Sequence, residues 1–135
     1  MSKLVGEWKL DRSEKFDEIL AAQGVGWVPR KMITMLSPTH GISEDEGCWT
    51  LSMISPMMTK VTKFKIGEPY KDEGFGGTGE KMMVASMDGD KLILMAVDRP
   101  EENLVTTREV MNEELVITMK LGDVISKRYF EKIKK

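Results

Sequence analysis

Leu115-Val116-Ile117-Thr118-Met119-Lys120-Leu121-Gly122-Asp123-Val124-Ile125-Ser126-Lys127-Arg128-Tyr129-Phe130 holds two alternating runs on either side of a turn at Leu121-Gly122-Asp123. In the first run the odd positions Leu115, Ile117 and Met119 are apolar. In the second, Val124, Ser126, Arg128 and Phe130 share a face, because successive side chains of an extended strand point to opposite sides. Two such runs joined by a short glycine-containing turn read as an antiparallel hairpin. Upstream of it, turn residues recur every eight to twelve positions at Asp45-Glu46-Gly47, Ile66-Gly67, Gly74 to Gly79, Asp88-Gly89 and Met111-Asn112. From Thr39 onward the chain therefore reads as strands joined by hairpins, and so many short antiparallel strands must close or stack to hide their edges.

The pattern before Thr39 differs. Gly6-Glu7-Trp8-Lys9-Leu10 alternates as a strand with Trp8 and Leu10 on one face. Ser13 then offers an N-cap to a helix over 14–23, with Phe16, Ile19 and Leu20 at i, i+3 and i+4 and Gly24 as its stop. A second short helix is expected over 26–36, with Val28, Met32, Ile33 and Leu36 on one side, Arg30 and Lys31 on another, and Pro29 in its first turn. The expected architecture is a barrel or sandwich with a helix pair, about 14–36, inserted after the first strand. With 135 residues, 41% of them apolar, one core and one domain over 1–135 are expected.

Charge and composition exclude several functions. The formal charge of −2 is spread over 20 basic and 22 acidic residues, so nucleic acid is not an expected partner. Met1 to Leu10 lacks the apolar core of a signal peptide, and a cytoplasmic location is expected. Cys48 is the only cysteine and His40 the only histidine, which removes disulfides, the usual metal sites and Ser-His chemistry. His40 reads as a loop residue and Cys48 as a strand residue. No cofactor or metal is expected. An enzyme built on the acidic residues lacks a nucleophile to pair with them. Gly74-Phe75-Gly76-Gly77-Thr78-Gly79 has the look of a phosphate-cradling loop, but Glu80 to Met87 reads as strand where such a loop must open a helix, so a hairpin turn is the better reading.

Gly6-Glu7-Trp8-Lys9-Leu10, Ser13, Phe16-Asp17 and Gly24-Val25-Gly26 resemble the opening of intracellular fatty-acid-binding proteins. The resemblance runs the length of the chain. It continues through Arg30, Lys31, Pro38 and Thr39, Phe64-Lys65-Ile66-Gly67-Glu68 and Asp88-Gly89-Asp90-Lys91-Leu92, then Arg108-Glu109-Val110, Glu114-Leu115-Val116 and Ser126-Lys127-Arg128-Tyr129-Phe130-Glu131-Lys132. It implies an all-β fold, a ten-stranded up-and-down antiparallel barrel open between its fourth and fifth strands and capped by the two helices. It further implies a protein that binds and carries a long-chain fatty acid inside the barrel and catalyses nothing.

The family's ligand carboxylate is met by two arginines on late strands, the second followed two residues on by an aromatic. The matching positions are Arg108, Arg128 and Phe130. The 20-residue interval leaves room for one intervening strand and two turns, so both arginines can face inward. A guanidinium is always charged and presents donors in a planar fork, which suits a carboxylate removed from water. Taken by pattern alone, an arginine in a strand is more often a solvated outward residue, and the apolar neighbours Val124 and Phe130 bring Arg128 to about an even balance. Phe130 stands where many members have tyrosine and cannot donate a hydrogen bond, while Tyr129 is out of phase and expected to point outward. By alignment to the family, Phe16, Ile19, Leu20, Val25, Ile33, Met53, Met57, Ile117 and Met119 are the expected cavity wall, with Met57 and Phe75 gating the entrance. Some of the twelve methionines could line the cavity adaptably, though core filling explains most equally well. Arg30 and Lys31, with Lys15, could meet anionic membranes during transfer, or simply form a solvated helix face. The chain is expected to be a monomer. The other ligands to weigh are a retinoid, a bile acid or haem. The insertion at Asp98-Arg99-Pro100-Glu101-Glu102 reads as a longer hairpin loop.

Overall fold

The computed structural model describes residues 2–56, 58–72, 80–97 and 104–133. The expectations at Met57, Phe75, Gly74 to Gly79 and Asp98 to Glu102 lie outside these residues. In chain order the elements are β1 (Gly6–Glu14), α1 (Phe16–Ala22), α2 (Trp27–Thr34), β2 (Thr39–Asp45), β3 (Cys48–Ser55), β4 (Met58–Lys65), β5 (Tyr70–Asp72), β6 (Lys81–Asp88), β7 (Lys91–Ala96), β8 (Val105–Met111), β9 (Glu114–Leu121) and β10 (Val124–Lys132). All ten strands join one sheet in the order β4-β3-β2-β1-β10-β9-β8-β7-β6-β5. Every paired neighbour is antiparallel, and β1 closes the wall by pairing with both β2 and β10. The two sheet edges, β4 and β5, are not paired with each other. Side chains cross that gap instead, with Lys60 Nζ 2.9 Å from Asp72 Oδ1 and the Phe64 and Tyr70 rings stacked at 5.0 Å.

The expected first strand was too short, and the reason bears on the site. The β1–β10 register shifts between Leu10 and Arg12, so Asp11 is an extra residue in β1. Such a bulge reverses the inward parity beyond it. Trp8 faces the core before the bulge; after it Ser13 stands opposite the inward Arg128, and Arg12 reaches outward to Glu114 and the Tyr129 ring. Ser13 is therefore a strand residue and not an N-cap. Helix α1 starts instead from Lys15, which takes a left-handed conformation (φ 55°) and makes no side-chain cap.

The C-terminal end of α1 follows expectation. Gly24 has φ +89°, its N–H donates to the Ala21 carbonyl and that of Val25 to the Leu20 carbonyl. This closes the last turn as a Schellman motif and brings the apolar Leu20 and Val25 together. Phe16, Ile19 and Leu20 are buried where α1 packs on β9 and β10. Helix α2 buries only Ile33; Val28 and Met32, expected beside it, are exposed, because α2 packs chiefly on α1. Among the described residues no helix is long and apolar enough to cross a membrane. At the closed part of the wall, Leu4, Trp8, Leu92, Leu115 and Phe130 form a fully buried cluster, with Trp8 Nε1 donating to the Leu4 carbonyl at 3.0 Å. Leu115→Ala should lower stability by about 2–5 kcal/mol, since the vacated space cannot fully collapse. Urea unfolding followed by tryptophan fluorescence measures this.

Candidate functional site

The strand register sets the two arginines side by side. Arg108 of β8 stands opposite Ile117 of β9, Ile117 opposite Arg128 of β10, and Arg128 opposite Ser13 of β1. The two arginines thus flank Ile117 in one row of inward side chains, both nearly buried at 8% and 6% exposure. The even positions of β10 face inward as the alternation predicts, and the Tyr129 hydroxyl lies outside, bonded to Glu14.

Each guanidinium is only partly compensated. Arg128 Nε donates to Ser13 Oγ at 3.1 Å, and its plane lies 3.8 Å from the Phe16 ring of α1 and 5.7 Å from the Phe130 ring. Arg108 Nε donates to His40 Nε2 at 3.0 Å. The Arg108 Nη1 atom is buried and has no hydrogen-bond partner. Among the described residues no carboxylate lies within 4.0 Å of either guanidinium. Burial pushes both guanidinium groups down to about 10, with Tyr70 and Asp72 pulling Arg108 the other way. Both still carry their charge at neutral pH.

His40 was expected in a loop. It sits in β2, fully buried, and its ring packs 5.9 Å from Phe130. Three strands separate β2 from β8 around the wall, so the bond to Arg108 crosses the barrel interior. His40 Nδ1 lies 2.7 Å from the Ser52 carbonyl, which can only accept, so Nδ1 carries the proton and Nε2 is left free to accept from Arg108. Burial, followed by the charge on Arg108, holds His40 down to about 3.

An internal cavity opens beside these groups. Its apolar wall is Phe16, Leu51, Met53, Met83, Leu94, Leu104, Ile117 and Met119; Tyr70, Thr62, Thr106, the two arginines, His40 and the Lys60–Asp72 pair add polar atoms. Lys81, also on this wall, stands opposite Asp72 in the β5–β6 register. Of the residues named from the family alignment, Phe16, Met53, Ile117 and Met119 border this cavity. Ile33 borders a smaller space beneath α2 with Phe16 and Met53. Ile19, Leu20 and Val25 do not border the cavity: their burial seats α1 on the sheet and closes its last turn. Phe130 lies outside the wall as well, behind His40 and Arg128. Arg30, expected to be a free surface cation, ties α2 to α1 through Asp17 at 3.1 Å and the Val25 carbonyl at 2.9 Å.

Reading the sequence missed Ser13, His40 and Tyr70. The inward parity of Thr106 with Arg108 was available, and so was that of His40 with Ile42; the parity of Ser13 was hidden by the bulge.

A ten-stranded antiparallel barrel, closed except between β4 and β5, with a helix pair after its first strand and a largely apolar internal cavity, has the architecture of a container for a small molecule. No family model matches the chain. It is 30% identical over 133 residues to fatty acid-binding protein type 3 of Fasciola hepatica, covering 98% of this chain and 100% of that one. It is 33% identical to the type 2 protein of the same organism over 92% of this chain and 93% of the relative. The solved Schistosoma mansoni fatty acid binding protein in complex with arachidonic acid superposes with a TM-score of 0.89 at 28% identity, over 99% of this chain and 98% of that one. The chain belongs to the fatty acid-binding protein family, and is a binding protein and not an enzyme.

His40 makes stability depend on pH. Its folded value of about 3 lies below the ordinary imidazole value of 6.5, so the unfolded chain takes up a proton that the folded chain refuses as pH falls through this window. Stability is therefore lost on acidification from about 6.5 toward 3. Between pH 6.5 and 5 the loss should be roughly 1–2 kcal/mol. It should be absent in His40→Gln, as read by urea unfolding at the two pH values.

Proposed function

We propose that this protein binds one or more long-chain fatty acids non-covalently in the internal cavity and carries them through the cytoplasm, with Arg108 and Arg128 facing the ligand carboxylate. The observation that supports this most directly is a charge imbalance. Two nearly buried guanidinium groups border a largely apolar cavity, no carboxylate among the described residues lies within 4.0 Å of either, and Arg108 Nη1 has no hydrogen-bond partner. Buried charge without a counter-charge is costly, and a ligand anion removes that cost on entry. The apolar wall suits the remainder of the molecule. Each buried methylene contributes roughly 0.8 kcal/mol, so a tail of about fourteen offers on the order of 11 kcal/mol as an upper limit. A retinoid alcohol or other neutral ligand could fill the apolar part but would leave both guanidinium charges without an anion. A single free cysteine, Cys48, accords with a reducing compartment, and the two sheet edges facing one another give the barrel little need to associate.

Arg108→Ala should weaken oleate binding about 10- to 100-fold, the value of one charge-assisted hydrogen bond, and at least as much as Arg128→Ala does. Titration calorimetry measures both. Equal affinity in wild type and both variants would place the carboxylate elsewhere, and a clear preference for retinol over oleate in competition would defeat the acid reading.

Transfer to membranes is part of the proposal. Trp27, Val28, Met32 and Met35 are 50–82% exposed on and just beyond α2, and Lys31 lies beside the Trp27 ring at 5.6 Å. Apolar side chains beside a cation suit the boundary of an anionic bilayer. Trp27→Ala should slow transfer of a fluorescent fatty acid to vesicles containing phosphatidylserine several-fold while leaving its affinity unchanged.

A further inference from the structure

Two buried side-chain polar atoms among the described residues have no hydrogen-bond partner, Arg108 Nη1 and the Tyr70 hydroxyl, and both residues border the same cavity. Buried polar atoms are nearly always paired, so a pair of orphans at one cavity calls for a common explanation. Tyr70 belongs to β5, the short edge strand, opposite Met83 of β6. Its ring is stacked on Phe64 of β4 at 5.0 Å and 18°, which fixes the hydroxyl at one place in the cavity wall. Burial, then the nearby Asp72, pushes its phenol up, so at neutral pH it is an intact O–H donor. The charge on Arg108 reaches it as well. Phe130, the aromatic two residues after Arg128, has no hydroxyl to offer.

We infer that the Tyr70 hydroxyl and Arg108 Nη1 together form a two-donor seat for a single carboxylate, which makes Tyr70 a determinant of specificity for acids over alcohols. The inference rests on the proposed binding of fatty acids. A guanidinium can only donate, so the group that satisfies it must accept; a carboxylate has two acceptor oxygens, one for each orphan, and brings the compensating charge. A hydroxyl ligand could meet both donors only through one oxygen and would leave the guanidinium charge standing.

Tyr70→Phe keeps the ring and its stacking and deletes only the orphan. Calorimetric affinities for oleic acid and oleyl alcohol, which share one chain, should separate: the acid about tenfold weaker in Tyr70→Phe, the alcohol changed less than twofold. Because the hydroxyl has no partner within the protein, stability of delipidated protein in urea should be unchanged or raised. The carboxyl resonance of oleic acid carrying carbon-13 at its first carbon should move between wild type and variant. Equal weakening of acid and alcohol, unchanged acid affinity, or a loss of ligand-free stability large enough to account for the weakening would each overturn the assignment. If Tyr70→Phe is silent while Arg108→Ala weakens oleate, the inference alone fails; if wild type does not bind oleate, the fatty-acid reading fails with it.

Discussion

Two guanidinium charges held inside an apolar barrel are the constraint to which the rest of the interior answers. Each is too deeply buried to be solvated as a surface arginine is, and each is too basic to shed its proton. The fold meets this from several directions. Ser13 from the first strand, His40 from the opposite wall and the faces of Phe16 and Phe130 all converge on them. These partners are neutral, so they supply hydrogen bonds and polarisable surface without cancelling the charge. What is left over is positive potential inside a largely apolar space.

That arrangement depends on backbone details far from any reactive chemistry. The bulge at Asp11 rotates Ser13 inward, and the same shift sends Arg12 outward to Glu114. Continuation of β1 through Glu14 forces α1 to begin without a side-chain cap, and α1 then delivers Phe16 over the Arg128 plane. The cap and the anion-facing row are thus one packing unit. On the other side, His40 can accept from Arg108 at Nε2 only because its Nδ1–H donates to the Ser52 carbonyl, so a main-chain atom of β3 dictates the orientation of a guanidinium on β8.

Much of this was legible in the sequence, and the portion that was not has a physical explanation. Strict alternation through Val124 to Phe130 puts Arg128 on one face with Ser126 and Phe130, because side-chain parity in an uninterrupted strand is rigid, and the spacing lets Arg108 share that face; that the face is the inner one was an expectation from the family resemblance. Parity fails at a bulge, and no residue around Asp11 announces one, so the pattern offers Ser13 as a helix cap and conceals its place in β1. β2 opens with Thr39-His40-Gly41-Ile42, in which a single aliphatic side chain carries the pattern; period-two reading had too little to work with, and His40 passed for a loop. Tyr70 belongs to a three-residue strand, and its place at the cavity follows from closure of the whole sheet and not from its neighbours in sequence. Ile19, Leu20 and Val25 have the composition expected of a lipid-contacting wall, and composition does not distinguish a residue that faces a cavity from one that seats a helix.

The gap between β4 and β5 gives the barrel an unusual mechanical character. Nine of its ten joins are ladders of main-chain hydrogen bonds, whereas the last, among the described residues, is an ion pair and a ring stack. Side-chain contacts can lengthen, rotate and re-form without unzipping a ladder, and an ion pair at a partly exposed seam weakens as salt rises. The circumference of this container is therefore elastic at one line and stiff everywhere else. The compliant line runs past Tyr70, so strain introduced by a bulky guest would be felt first beside the polar end of the cavity.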